Sequence, residues 1–168
     1  MNKHITIILS ISLITMAGCK KNNGTDVPAP PTIKAVWTCK GFTDSTSTGT
    51  LTDEVANGNN YLLYNLPGSV ERIDLDFYHA DPLTTGTYPL NFTDLPSTSG
   101  NVGITLYPNP QNINSYNASR LNVYANQPIM VSVNGNVTTI TGTGIQLQNP
   151  ANIGDTATVN FVITQTNH

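Results

Sequence analysis

Apolar side chains recur at every second position in short runs along this chain, and that spacing restricts it to strands. From Arg72 to Tyr78 the rule is clearest: Ile73, Leu75 and Phe77 point one way, while Arg72, Asp74 and Asp76 point to the solvent face. The same phase runs through Ala35, Trp37 and Cys39, through Val102, Ile104 and Leu106, and through Leu121, Val123 and Ala125. Ile129, Val131 and Val133 lead into Asn134-Gly135, a strong short hairpin signal, with a returning strand over 137–141. Further strands are expected at 145–147 and 159–163, and the run 61–66, apolar on both faces, reads as a central strand.

Turn clusters separate these runs: Asn57-Gly58-Asn59-Asn60, Leu66-Pro67-Gly68, Asp81-Pro82, Tyr107-Pro108-Asn109-Pro110 and Asn149-Pro150. No stretch carries helical spacing. Charged residues are 10% of the chain, against about 25% in an ordinary soluble domain. Their place is taken by 24 Thr and 21 Asn, which favour strands and turns. The expected fold is all-β, an antiparallel β-sandwich, with a flattened β-barrel as the alternative.

The first residues follow other rules. Lys3 and His4 precede an apolar stretch over 5–16, too short for a spanning helix of about 20 residues and suited to a signal peptide. Met16-Ala17-Gly18-Cys19 resembles the bacterial lipobox, in which small residues precede a cysteine that accepts lipid. That resemblance implies acylation of Cys19. Two or three acyl chains make anchoring effectively permanent, since each buried CH₂ contributes about 0.8 kcal/mol. The segment 20–31 (KKNNGTDVPAPP) has no apolar periodicity and reads as a tether. The expected organisation is therefore a signal peptide over 1–18, a lipidated cysteine with a disordered tether over 19–32, and one all-β domain over 33–168.

The start Cys19-Lys20-Lys21-Asn22-Asn23 and the Thr- and Asn-rich body resemble lipoproteins of the Bacteroidota. Within the body, Trp37-Thr38-Cys39, Leu75-Asp76-Phe77-Tyr78, Gly86-Thr87-Tyr88-Pro89-Leu90 and the Val133-Asn134-Gly135 hairpin resemble a group of uncharacterised domains of that group. The resemblance implies fold and compartment, not an activity. Lys20, where inner-membrane retention commonly uses Asp, favours the outer membrane. No acid stands before Asp26, unlike the surface-exported members.

From Ile33 onward Lys34, Lys40, Arg72 and Arg120 face nine acids, a net charge of about −5. No basic stripe exists to neutralise phosphates, so nucleic acid is not an expected partner. The expected partners are the membrane, through lipid on Cys19, and a glycan or a protein.

Few residues carry catalytic chemistry, and no enzyme is expected. His79 is the one histidine inside the body, so a Ser-His-Asp triad has a single place to form. Zinc and other cofactors have no ligand set. Asp74, Asp76 and Asp81 invite a calcium site, but the first two fit a solvated strand face. A glycosidase would use two carboxyls such as Glu54 and Glu71 across a cleft. Cys39 reads as a buried small hydrophobe beside Trp37, with an intermolecular disulfide as the alternative.

The segment 107–117 combines aromatic rings and amides, so Tyr107, Asn109, Gln111 and Tyr116 are the expected ligand contacts. Asp44-Ser45-Thr46 and Asp155-Thr156-Ala157 resemble the O-glycosylation motif of Bacteroidota envelope proteins, which makes Ser45 and Thr156 acceptor candidates. Three functions follow as expectations: a non-catalytic envelope binding module first, an adhesin-like assembly subunit second, and a small hydrolase third.

Overall fold

The computed structural model describes residues 29–40, 42–56, 59–69, 71–78, 82–91, 100–107, 116 and 126–168. The proposed signal peptide, Cys19, the tether up to residue 28, His79, Asp81, Asn109, Gln111 and the strand expected at 121–125 lie outside the described residues. So does the side chain of Glu54.

Among the described residues ten strands follow in order: β1 (Thr32–Cys39), β2 (Phe42–Thr46), β3 (Thr50–Ala56), β4 (Asn59–Pro67), β5 (Arg72–Tyr78), β6 (Gly86–Pro89), β7 (Val102–Tyr107), β8 (Pro128–Asn134), β9 (Val137–Asn149) and β10 (Asn152–Thr166). They form a six-stranded sheet in the order β2-β1-β10-β9-β8-β6 and a four-stranded sheet in the order β3-β4-β5-β7. Every strand pair is antiparallel. The two sheets pack face to face as a β-sandwich and do not close into a barrel.

The alternation explains the core. Ile33, Ala35, Trp37 and Cys39 of β1 face inward beside Val159, Phe161 and Ile163 of β10. Leu66 and Tyr64 of β4 and Ile73, Leu75 and Phe77 of β5 face them from the other sheet. The ring of Phe77 meets Tyr88 of β6 edge-on at 5.3 Å and Tyr64 at 5.9 Å, so one aromatic joins both layers.

Two short runs expected as separate strands, 137–141 and 145–147, are one strand, β9. A bulge lies between the pairs Ile145↔Val159 and Gly142↔Phe161, where Thr143 and Gly144 stand opposite Asn160. Gly144 takes φ +64°, and its N–H donates to the Asn160 side-chain oxygen at 2.8 Å. The extra residue inverts the apolar phase, which breaks the pattern without breaking the strand.

The outer face of β5 differs from its expected solvation. Asp74 and Asp76 are only 9% and 7% exposed. Asp74 accepts from Asn65 Nδ2 at 3.0 Å and pairs with Arg72 at 3.1 Å, and the Arg72 guanidinium lies 3.9 Å from the Tyr107 ring centre. Polar partners, rather than water, fill this face.

Candidate functional site

At the end of the sandwich where β1 begins, a cleft of about 490 Å³ is lined by residues of both sheets. Leu51 and Asp53 of β3 and Leu62 and Tyr64 of β4 form one wall. Pro82 and Leu83 and the β8–β9 turn, with Val133 and Gly135, form another. Thr138 of β9, Gln165 of β10 and Asn167 complete it.

The floor is polar because the inward phase of two strands ends in polar residues. On β10 the inward series Val159, Phe161, Ile163 is continued by Gln165; on β9 Ile140 is preceded by Thr138. Gln165 and Thr138 are direct cross-strand partners and are 7% and 6% exposed. The Tyr64 hydroxyl donates to Gln165 Oε1, and Gln165 Nε2 donates to Asn167 Oδ1 at 2.7 Å. Burial pushes the Tyr64 hydroxyl far above the usual phenol range, so it stays a protonated donor. This oriented chain ends at an exposed amide beside aliphatic walls. Such a combination holds a neutral ligand through hydrogen bonds on one side and apolar contact on the other. Among the described residues that line the cleft, Asp53 carries a carboxylate.

The turn β1–β2 builds a second cluster. Lys40 takes φ +47°, and its ammonium donates to Tyr116 Oη at 2.6 Å and to Asp155 Oδ1 at 2.8 Å. Tyr116 in turn donates to Asp155 Oδ2 at 2.5 Å, and Asn149 Nδ2 reaches the same oxygen at 3.3 Å. The hydrogen bond from Lys40, with that from Tyr116, holds the Asp155 carboxyl at about 2. The Asp155 bond likewise raises Lys40 above its ordinary value. Beside it, Thr38, Thr43, Thr156, Thr158 and Asn160 surround a shallow, hydroxyl-rich depression of about 450 Å³.

A third cluster is buried. Asp44 of β2 accepts hydrogen bonds at Oδ1 from Ser45 N (2.9 Å), Ser69 N (3.1 Å) and Ser69 Oγ (2.9 Å), and at Oδ2 from Glu71 N (3.0 Å). The Glu71 carboxylate accepts from Trp37 Nε1 at 3.2 Å. Burial, opposed by that bond and reinforced by Asp44, raises the Glu71 carboxyl. Burial, followed by the charge of Glu71, pushes the Cys39 thiol up to about 11. Asp44 and Glu71 are a close carboxylate pair, but neither lines any of the depressions described here. Their bonds fasten the β4–β5 connection to β2.

Of the ligand contacts expected between 107 and 117, two are described. Tyr107 is stacked under Arg72, and Tyr116 pairs its backbone with Leu106 and its hydroxyl with Lys40 and Asp155. Neither lines the cleft. Ser45 and Thr156 are both exposed on the outer face of the six-stranded sheet, Ser45 opposite Val36 and Thr156 at the rim of the threonine-rich depression. The cleft residues were not singled out by sequence. A signal did exist, because Gln165 is a polar residue in an otherwise apolar phase, which marks a place where the core gives way to a site.

No family model, curated protein or solved structure matches the chain.

Proposed function

We propose that this protein is a lipid-anchored lipoprotein of the cell envelope, held in the outer membrane through Cys19, and that its β-sandwich is a non-catalytic binding module. The cleft lined by both sheets is the ligand site in this reading. Its aliphatic walls and its Tyr64–Gln165–Asn167 chain suit a neutral glycan or an uncharged peptide segment.

The observation that carries the reading is the position of the cleft beside the start of the folded body. Thr32 pairs with Thr166 and its hydroxyl meets His168 Nε2 at 2.9 Å, while Asn167 lines the cleft. The twelve residues between Cys19 and Thr32 reach at most about 40 Å when fully extended. A ligand taken at this end is therefore held close to the lipid surface.

Two measurements test the reading separately. Labelled palmitate should enter the full-length chain and be absent from Cys19→Ala. A glycan and peptide array probed with the full-length protein should give hits that Leu62→Glu abolishes. Palmitate incorporation that survives Cys19→Ala overturns the anchor, and blank arrays overturn the binding module.

A further inference from the structure

One row of side chains crosses the outer face of the six-stranded sheet from edge to edge. Cross-strand pairing places Ser45, Val36, Val162, Thr141, Met130 and Thr87 in register, one from each strand of β2, β1, β10, β9, β8 and β6. Val36, Val162 and Met130 are 52%, 47% and 50% exposed, three of the large hydrophobics that the described part leaves in solvent. A shallow apolar hollow of about 270 Å³ lies along the row, between Val36, Thr141 and Val162.

The surroundings carry little charge. Lys34 is the charged residue that the described strands turn to this face, Lys40 borders it at the β1–β2 turn while paired with Asp155, and the others are mainly threonines. The body as a whole carries about −5. Two such bodies repel one another except where they meet through a neutral surface.

From this geometry we infer that the face is an interface between two copies of this chain. The row complements itself. A two-fold axis parallel to the strands, passing between Val162 and Thr141, reverses the row. Val36 of one copy then meets Met130 of the other, Val162 meets Thr141, and Ser45 meets Thr87. Apolar or methyl-bearing groups face each other in the centre, and hydroxyls face each other at the ends. This is the isologous arrangement of a closed dimer. The size also fits: six strands about 4.8 Å apart and about seven residues long span on the order of 650 Å². A stable interface uses about 800 Å² per partner. The inference is independent of the ligand proposed for the cleft.

The test uses full-length chains carrying two different tags, expressed together in their own membrane. One carries Val36→Cys and the other Met130→Cys, and a short bis-maleimide is added. The expected product links the two tags. Val36→Cys paired with itself should link several-fold less, because the two-fold axis separates those positions by about three strand spacings. Cys39 is buried and does not compete. Sedimentation of the full-length protein in detergent supplies the second measurement. Dimers should form, and Val162→Lys should weaken them more than about tenfold while thermal unfolding stays unchanged. A single-chain mass at every concentration overturns the inference, as does equal linking by both cysteine pairs.

Discussion

Trp37 and Glu71 meet between the two sheets: the indole N–H of β1 donates at 3.2 Å to a carboxylate just ahead of β5, and both residues are buried. Trp37→Phe keeps most of the packing but leaves the carboxylate without this donor. The expected loss is about 1–3 kcal/mol in urea unfolding. Its pH dependence identifies the cause. Glu71 already titrates above its ordinary value, and losing the donor raises it further. The folded state then binds the proton more tightly than the unfolded one, so the deficit should grow as pH rises through and above the ordinary carboxylate range. A deficit independent of pH would point to packing alone.

Asp44 and Gly68 form a matched pair. A Cβ on Gly68 would lie 2.3 Å from Asp44 Oδ2 and 2.6 Å from Trp37 Cζ2, so the carboxylate reaches the loop only because that position is bare. Gly68→Ala should cost about 1–3 kcal/mol by overpacking. Asp44→Ala should cost about 1–3 kcal/mol, since it leaves the buried Glu71 N–H and the part-buried Ser69 donors without this acceptor. The double variant should cost less than the sum, because the clash with the carboxylate disappears and only the contact with Trp37 remains. Chemical denaturation of the four proteins measures the cycle, and strict additivity would contradict the contact.

Gly142 and Phe161 are partners across β9 and β10, and an added Cβ would sit 2.3 Å from the Phe161 ring. The ring lies over the bare backbone next to the bulge. Gly142→Ala should therefore destabilise by about 1–3 kcal/mol, although alanine ordinarily improves a strand glycine. Gly86→Ala is the control, because no atom lies within 4 Å of the added carbon. Thermal unfolding should separate the two.

Asp74 should make the fold less stable as pH rises. Burial raises its carboxyl from 3.8 to about 6, and the charge and hydrogen bond of Arg72 oppose the rise. The folded state therefore holds the proton more tightly, and stability from this group is greatest below about 4 and declines until pH passes about 6. The full decline is of the order of 3 kcal/mol. Urea midpoints between pH 4 and 7 should fall more steeply for the wild type than for Asp74→Asn, and equal slopes would refute the assignment.

Period-two spacing made β1, β5, β7, β8 and β10 legible, because each turns an unbroken apolar series to the core. β2 (Phe-Thr-Asp-Ser-Thr) and β3 (Thr-Leu-Thr-Asp-Glu-Val-Ala) escaped because they are edge strands with polar residues on both faces. β6 escaped because it is four residues long and ends in proline. Asp74 read as solvated because a strand pattern separates inside from outside but does not reveal what covers the outside. The cleft was the hardest to foresee. Tyr64 and Gln165 are 101 residues apart and meet only through the pairing of strands from two sheets.

β10 lies between β1 and β9, with Thr32 opposite Thr166. The first strand to leave the ribosome thus waits for the final one before it has a neighbour on its core side of the sheet. Pairing of β1 with β10 is therefore a long-range step, which local contacts cannot replace.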